Sequence, residues 1–488
     1  MLERSPGRTT KNPIVVEHAA RIAKSFVEEI KSLTDEDVKR LLDNIFDDPT
    51  LRKDFQGMAI RHAAMCGEVA KEVLAILESN PDQIELMALG DVDLPDFARE
   101  VVKELIQEAH RHHHELNQEY GSGYDLTAQG APKARESVMR YFDPHYGFSA
   151  VPGLSEKLTK NSTITAGAMR GLKDIAESTV YAAENSDPPQ RPRFIQPDNS
   201  FGTWHEIVKR ESHKGKTAEV HTLATNPEHL LHLTPEQVRT FYREHLTQEN
   251  HQDTWCITPV GNPSGTHMKP EQLGETCRTI IEYNPKAKII LDCTYVRTLK
   301  PEKAQELMRG VITDPEIMNR VVFVESFSKT HGFCRERIGM YFSANEEIFK
   351  EIQNTNTTNG AGNGQSKEAF VFAIASATSE QEAIIRELHE FWGRERKGLY
   401  HYLIRSGNFE NLFEEEQNHI EQEQLGGPQG LYLFVKLKPG VTAREVLLQT
   451  KCLGVETQMG SGKYVRFAVG KIKKPTYAKY APQETEAL

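Results

Sequence analysis

VVFVESFSK, residues 321–329, is the stretch that decides how this sequence is interpreted. Its apolar half predicts a buried strand, and the chain then presents two hydroxyls, Ser326 and Ser328, followed by Lys329 and, further on, Arg337. A lysine amine condenses with an aldehyde to a Schiff base, and hydroxyls and a guanidinium hold a phosphate. The pattern therefore suits a phosphorylated aldehyde. A strand followed by a polar turn gives the same tetrapeptide, so the interpretation depends on the residues upstream.

The composition favours a soluble globular protein. Of the 488 residues, 38 % are hydrophobic and 26 % are charged, and the net charge of −11 argues against nucleic acid or an anionic membrane as a partner. The first residues have no apolar core of a secretory signal, and no stretch is long and apolar enough for a membrane span. The six cysteines are scattered, with no Cys-x-x-Cys pair, which favours a cytoplasmic protein without disulfides or a zinc site.

Short β-rich runs alternate with helical runs between residues 150 and 350. Thr234 and Gln237 form a capping box that marks one helix start. Such alternation predicts an α/β fold whose mainly parallel sheet is covered by helices. The expected strands are Thr163–Thr165, Arg193–Gln196, Glu219–Leu223, Trp255–Val260, Ala287–Leu291 and Val321–Val324.

Candidate ligand-binding residues follow the ends of these strands, where parallel sheets bind their ligands. Ala168 and Met169 open a helix and offer amides to a phosphate, or they belong to an ordinary strand-to-helix turn. Phe201 suits stacking on an aromatic ring and suits core packing equally well. Asn262, in a Gly-Asn-Pro-Ser-Gly sequence, is able to donate to a phenolic oxygen, but the sequence is also that of a generic turn.

Asp292 closes an apolar strand, and a buried carboxylate is costly unless it is paired. A protonated pyridine nitrogen would be such a partner, and the carboxylate would keep that ring an electron sink. The alternative role for Asp292 is a helix or turn cap. Tyr295, three positions further on, is placed to reach the same phenolic oxygen as Asn262.

Asn262, Asp292, Tyr295, Lys329 and Arg337 stand in the order, and at nearly the intervals, that class I/II aminotransferases keep. The sequence resembles this family of fold-type I pyridoxal-phosphate (PLP) enzymes from about residue 90 to residue 469. The resemblance implies a PLP-dependent transferase fold, with a mainly parallel, seven-stranded-type sheet in a large domain and a smaller α+β domain. It also implies transfer of an amino group between an amino acid and a 2-oxo acid in amino-acid metabolism.

The change in sequence character along the chain, together with the resemblance, predicts four parts. They are a helical N-terminal extension at 1–82, the N-terminal part of the small domain with an inter-subunit loop at 83–150, a large PLP-binding domain at 151–385, and a C-terminal small domain at 386–488. The last part is expected to contain strands at Leu431–Leu437 and Tyr464–Val469.

The resemblance also implies roles for the residues around the cofactor ring. Lys329 would carry PLP as a Schiff base and move the α-proton of the substrate. Asp292 would hold the pyridine nitrogen, Asn262 and Tyr295 the phenolic oxygen, and Phe201 would stack on the ring. Lys329, Asp292 and Tyr295 are therefore the expected catalytic residues.

The phosphate and the substrate would have their own ligands. Arg466 would bind the α-carboxylate as a two-pronged fork, with Gly90 and Asn262 beside it. Tyr124 would reach the phosphate of the neighbouring subunit, which implies a homodimer with shared sites. The resemblance implies that the phosphate ligands within the subunit are Ala168, Met169, Ser326, Ser328 and Arg337.

Three alternatives remain open at the level of sequence. The same scaffold supports another PLP reaction, such as decarboxylation, β/γ-elimination or oxidation. A PLP-binding regulator without turnover is a second alternative, which the lack of a DNA-binding motif disfavours. His110 and His114 stand one helical turn apart, as metal ligands do, but a solvated helix face is the simpler interpretation and no metal is expected.

Overall fold

The structure is a computed structural model. It describes residues 85–87, 92–121, 127–201, 204, 207–211, 218–245, 251–358, 364–414, 431–459, 462–472 and 474–481. The expected helical extension at 1–82 lies outside these residues. No helix in the described ranges is long and apolar enough to cross a membrane. No cluster of metal-ligating side chains occurs among the same residues.

Strands and helices alternate through the middle of the chain, as expected. The strands are β1 (Glu85–Leu86), β2 (Ser162–Thr165), β3 (Arg191–Pro197), β4 (Glu219–Leu223), β5 (His251–Ile257), β6 (Lys288–Asp292), β7 (Val321–Ser326), β8 (Gly339–Ser343), β9 (Tyr432–Lys436), β10 (Cys452–Leu453), β11 (Val455–Met459) and β12 (Gly462–Ala468). The helices are α1 (Asp96–Tyr120), α2 (Pro132–Tyr146), α3 (Leu154–Lys160), α4 (Ala168–Glu184), α5 (Pro235–His245), α6 (Pro270–Tyr283), α7 (Pro301–Ile312), α8 (Pro315–Met318), α9 (Glu346–Thr358), α10 (Gly364–Ala375), α11 (Ser379–Tyr400) and α12 (Ala443–Thr450).

A seven-stranded sheet forms the centre of the large domain, with the strand order β2-β8-β7-β6-β5-β3-β4. The pairs from β4 through β3, β5 and β6 to β7 are parallel, and β8 pairs antiparallel with both of its neighbours. The expectation of a mainly parallel, seven-stranded sheet is therefore confirmed. The predicted capping box also forms, because the Thr234 and Gln237 side chains bond each other's backbone N–H.

The central strands are buried on both faces, which explains their unbroken apolar sequence. Alternate residues of β6 and β7 belong to two different cores, with Ile289 and Phe323 on one side and Ile290 and Val322 on the other. Helices α2, α6 and α7 pack into the first core, and α4 and α9 pack into the second.

Two details of the large sheet differ from the sequence prediction. Strand β8 was not expected, and the strand that was predicted to run to Val260 ends at Ile257. Beyond Ile257 the backbone leaves the ladder for a turn around Gly261–Gly265, where Gly265 N–H donates to Gly261 O at 3.0 Å.

The small domain is built from both ends of the described chain. Strands β11, β12 and β9 form an antiparallel sheet in that order, and β1 pairs in parallel with β10. The Ala468 N–H also donates to Met87 O at 2.8 Å. The segment around residue 85 therefore joins the C-terminal lobe, whereas the exact domain boundaries stay predictions.

Candidate active site

The sheet brings the candidate residues to one edge because parallel strands end together there. Strands β5, β6 and β7 are direct neighbours, and they lead into Asn262, Asp292 and Lys329. Strand β8 runs the other way, so Arg337, which precedes it, lies at this edge too. Ala168 follows β2 at the same edge.

The N-terminus of α4 and Arg337 form a cradle of the right chemistry for a phosphate. Helix α4 begins at Ala168 without a side-chain cap, and the amides of Ala168 and Met169 have no partner among the residues that the structure describes. Arg337 lies directly on the preceding Gly167, since a Cβ there would be 2.8 Å from the Arg337 Nη2. Gly339 approaches just as closely, because its Cβ would lie 2.7 Å from Ala168 N. Any larger residue at 167 would displace the guanidinium.

The two serines before Lys329 differ in their bonding. Ser326 Oγ donates to Ile338 O at 3.3 Å and accepts from the Ser328 N–H at 3.1 Å. Ser328 is also buried, and its hydroxyl has no partner among the residues that the structure describes. Met169, by contrast, exposes its side chain, so only its backbone amide is suited to the cradle.

Asp292 is buried, and its two oxygens are in different situations. Oδ1 accepts from the Thr294 N–H at 3.2 Å and from Thr294 Oγ1 at 2.6 Å. Oδ2 has no hydrogen-bond partner within the described ranges. Burial raises the pKa of Asp292, and the bonds from Thr294 oppose that rise. A positively charged N–H at Oδ2 would supply the missing partner.

Lys329 is half-buried, and its Nζ lies 3.9 Å from Cys334 Sγ. Cys334 in turn donates to Ser328 O at 3.0 Å, which ties the loop back to the end of β7. Lys329 and Asp292 follow adjacent strands, because Asp292 pairs with Val324 of β7.

A buried ion pair fastens the strand that leads to Lys329. Arg297 bonds Glu325 at 3.2 Å and donates to Ser326 O at 3.1 Å, and its guanidinium lies 4.5 Å from the centre of the Phe327 ring. Tyr146 donates to the same carboxylate. This group was not predicted, because nothing in the sequence pairs position 297 with position 325.

Asn262, Tyr295 and Arg466 are joined by hydrogen bonds. Asn262 Nδ2 donates to Tyr295 Oη at 3.2 Å, and Arg466 Nη1 donates to Asn262 Oδ1 at 3.1 Å. Burial raises the pKa of Tyr295 well above its ordinary value, so its hydroxyl stays protonated. Tyr432 was not predicted, yet its hydroxyl lies 2.8 Å from that of Tyr295. Its position within an apolar strand of the sequence does not indicate this contact.

The remaining expected residues divide into two groups. Phe201 is half-buried and packs against the core cluster that contains Cys256 and the first turns of α4. Gly90 and Tyr124 lie outside the described residues. His110 and His114 lie on the exposed face of α1, where His114 contacts Gln118.

Comparison with known families identifies one match. A family model described as aminotransferase class I and II matches residues 197–440, which is half of the chain. That range includes Phe201, Asn262, Asp292, Lys329 and Arg337. No curated protein matches the sequence.

Solved structures share the fold at low sequence identity. An aspartate aminotransferase from Thermus thermophilus, solved with maleate, has a TM-score of 0.58 and 16 % identity over 83 % of this chain and 91 % of its own. The aspartate aminotransferase of Thermotoga maritima has a TM-score of 0.58 and 17 % identity over 83 % and 92 %. Substrate-bound BacF from Bacillus subtilis has a TM-score of 0.57 and 16 % identity over 84 % and 93 %.

Proposed function

The chain belongs to the class I and II aminotransferase family, and from this premise we propose that it binds pyridoxal 5'-phosphate at Lys329 and moves an amino group between an amino acid and a 2-oxo acid. The environment of Asp292 is the main support for this proposal. Its carboxylate is buried, only one of its oxygens is bonded within the described ranges, and it ends the strand next to the one that leads to Lys329. A pyridine N–H⁺ satisfies such a carboxylate.

The other groups fit the remaining parts of PLP. Arg337 and the open amides at Ala168 and Met169 would hold the phosphate, with the Ser326 and Ser328 hydroxyls beside them. Asn262 and Tyr295 would donate to the phenolic oxygen. Phe201 would cover one face of the ring.

When bound, PLP supplies an electron sink that stabilises negative charge at the substrate Cα. The residues of this chain supply the rest. Lys329 Nζ would take the proton from Cα of the amino-acid substrate, and in the return half-reaction it would give a proton to Cα of the new amino acid. Asp292 would hold the pyridine nitrogen and keep it protonated. Tyr295, whose pKa is raised by burial, keeps its hydroxyl proton and would donate a hydrogen bond to the phenolic oxygen.

Arg466 would fix the substrate by its α-carboxylate. A guanidinium matches a carboxylate in two parallel hydrogen bonds. Its contact with Asn262 supports this role, because Asn262 also bonds Tyr295 and so joins the carboxylate end of the site to the cofactor end. Gly90 would lie beside the same carboxylate. The substrates are thus an amino acid and a 2-oxo acid.

We also propose a homodimer in which the partner subunit's Tyr124 reaches the phosphate. A cytoplasmic location is part of the same proposal. The five cysteines within the described ranges are all free, which is usual in a reducing compartment.

The experiment compares the wild type with Lys329→Ala. Borohydride reduction should attach PLP covalently to the wild type at Lys329, whereas the variant should bind PLP reversibly and lose nearly all turnover. A variant that still becomes labelled at the same site after reduction would show that Lys329 is not the attachment point.

The reaction itself is tested by a half-reaction screen of the standard amino acids with the PLP-loaded wild type. An aminotransferase converts the bound cofactor to its amino form and releases a 2-oxo acid. Release of CO₂, of ammonia or of a side-chain fragment would identify one of the other PLP reactions. No turnover with any amino acid would favour a regulator.

A further inference from the structure

Four side chains at the candidate site form a closed ring of contacts. Asn262 bonds Tyr295 at 3.2 Å and Arg466 at 3.1 Å. Tyr432 completes the ring, because its hydroxyl lies 2.8 Å from Tyr295 Oη and its aromatic face lies 4.7 Å from the Arg466 guanidinium carbon. One side chain thus contacts the residue expected at the cofactor and the residue expected at the substrate carboxylate.

The backbone of Tyr432 is held firmly in this position. It pairs with Ala468 across β9 and β12, and its carbonyl oxygen accepts from Arg396 Nε at 2.7 Å. The turn that carries Asn262 packs on the same carbonyl, since a Cβ on Gly265 would lie 2.2 Å from it. The Tyr432 side chain is almost completely buried. Its hydroxyl and its ring therefore have little freedom to leave the site.

We propose that Tyr432 is a positioning residue for both ends of the site: its hydroxyl orients Tyr295 and its ring supports Arg466. This inference rests on the proposed function, because it assumes that PLP lies beside Tyr295 and that a carboxylate binds Arg466.

The number of protons on Tyr295 fixes the direction of its bond with Tyr432. Tyr295 Oη accepts from Asn262 and has a single proton of its own. An anionic phenolic oxygen of the cofactor would accept a hydrogen bond from that proton. Tyr432 must therefore be the donor in the hydrogen bond between the two tyrosines. A hydroxyl that receives a hydrogen bond becomes a better donor. Tyr432 thereby strengthens the bond from Tyr295 to the cofactor.

Other charged and titratable groups also face Tyr295, and they remain in a Tyr432 variant. Asp292 contributes negative charge from β6, and Arg466 contributes positive charge from β12. A change that follows removal of only the Tyr432 hydroxyl is therefore assigned to that hydroxyl.

The ring of Tyr432 has a separate effect on Arg466. A guanidinium over an aromatic face is stabilised electrostatically, most strongly where water is excluded. The stacking also fixes the plane of the fork that meets the carboxylate. Phenylalanine keeps this effect and lacks the hydroxyl, whereas leucine lacks both.

The experiment uses PLP-loaded Tyr432→Phe and Tyr432→Leu, with Phe434→Leu as a matched control. Phe434 lies two residues along the same strand, pairs with Arg466 through the backbones of β9 and β12, and stacks its ring on Tyr464 at 4.6 Å. Its replacement controls for the loss of a neighbouring aromatic side chain. Two quantities are measured in each protein. The first is the pH midpoint of the absorbance change of bound PLP, and the second is the dissociation constant of the amino acid that reacts fastest in the screen.

In Tyr432→Phe the pH midpoint should rise by about 0.5 to 1 pH unit, because the anionic phenolic oxygen accepts a weaker hydrogen bond from Tyr295. The dissociation constant should change less than about threefold, since the ring remains. In Tyr432→Leu the same rise should be joined by about tenfold weaker amino-acid binding. Phe434→Leu should move the pH midpoint by less than about 0.3 pH unit and change the dissociation constant less than about twofold.

An unchanged pH midpoint in Tyr432→Phe would overturn the role of the hydroxyl, and unchanged binding in Tyr432→Leu would overturn the role of the ring. Should the leucine variant fail to fold, the phenylalanine variant still decides the first point. The proposed function fails separately, and in the wild type, if borohydride does not attach PLP to Lys329.

Discussion

The buried carboxyl group of Asp292 is suited to bind a cation. Its pKa is raised by burial, because the folded protein solvates the charged carboxylate less well than water does. A carboxyl group of this kind reduces stability as the pH rises above its ordinary value of 3.8 and through its folded-state pKa. At pH 8 the PLP-free protein is therefore expected to be less stable than a variant with an uncharged isostere at position 292.

Asp292→Asn tests both consequences of this burial. Without PLP at pH 8, the variant should unfold about 2–4 °C higher than the wild type, and the difference should vanish at a pH below 3.8. With PLP, its half-reaction should be about 10²–10⁴-fold slower, because the pyridine nitrogen is no longer kept protonated. Calorimetry and single-turnover absorbance measure the two effects. A stable variant with wild-type rates would reduce Asp292 to a turn cap.

Arg466→Lys tests the carboxylate anchor. Lysine keeps the charge and loses the fork, so binding of amino acids and 2-oxo acids should weaken by about tenfold to a hundredfold. The absorbance spectrum of bound PLP should stay unchanged, and a simple amine without a carboxylate should react as before. Equal dissociation constants for carboxylate substrates in the two proteins would place the anchor elsewhere.

Among the structural elements, the start of helix α4 combines an unusual backbone conformation with a contact to Arg337. Gly167 is the N-cap, with φ of 81°, and its missing Cβ gives Arg337 its place on the helix terminus. Gly153 caps α3 with a similar φ of 73° and has no atom near its would-be Cβ. Gly153 therefore provides a control in which alanine meets the strain of a positive φ without any contact with Arg337.

Gly153→Ala is expected to lose about 1 kcal/mol of stability, because alanine is disfavoured at positive φ. Gly167→Ala should lose more, about 1–3 kcal/mol, because its φ of 81° combined with its ψ of 165° is nearly exclusive to glycine. Only Gly167→Ala should weaken PLP binding, by about tenfold or more, since the guanidinium must move away from the phosphate. Binding of pyridoxal, which has no phosphate, should be nearly equal in both variants. Similar PLP affinity in the two variants would contradict the cradle.

The sequence predicted those elements whose pattern is local. The apolar runs that form β5, β6 and β7 are buried on both faces, so their sequences are continuously apolar. The positions of these strands, and the polar residues at their ends, could therefore be predicted from the sequence. The direction of β8 depends on a loop that reverses the chain after Lys329, and no residue in its five-residue strand specifies that reversal. The contact of Tyr432 with Tyr295 joins positions 137 residues apart, which only the packing of β9 against the large domain creates.

At the scale of the whole molecule, the candidate site lies where the two domains meet. Tyr295 and Asn262 belong to the large domain, and Tyr432 and Arg466 belong to the small sheet. The small domain is itself closed by β1, from the N-terminal side of the chain. Movement of the small domain would therefore change the cofactor end and the carboxylate end of the site together.

The proposed dimer makes a prediction that mixing experiments can test. If each site takes the partner subunit's Tyr124, a dimer of one Lys329→Ala subunit and one Tyr124→Ala subunit contains one complete site. Equal mixing by unfolding and refolding gives about half hybrid dimers, and therefore about one quarter of the wild-type number of sites. At PLP concentrations that leave Tyr124→Ala largely unloaded, the mixture should exceed the summed activity of the separate variants.

A second mixture provides the control. Lys329 and Arg337 are expected to serve the same site within one subunit, so hybrids of Lys329→Ala with Arg337→Ala contain no complete site and should show no gain. A gain in both mixtures would point to stabilisation of the variants by association. A gain in neither, with hybrid dimers demonstrated by mass spectrometry, would mean that each subunit builds its site alone. Shared sites require the activity of the first mixture to exceed the sum of its separate variants and that of the second mixture not to exceed it.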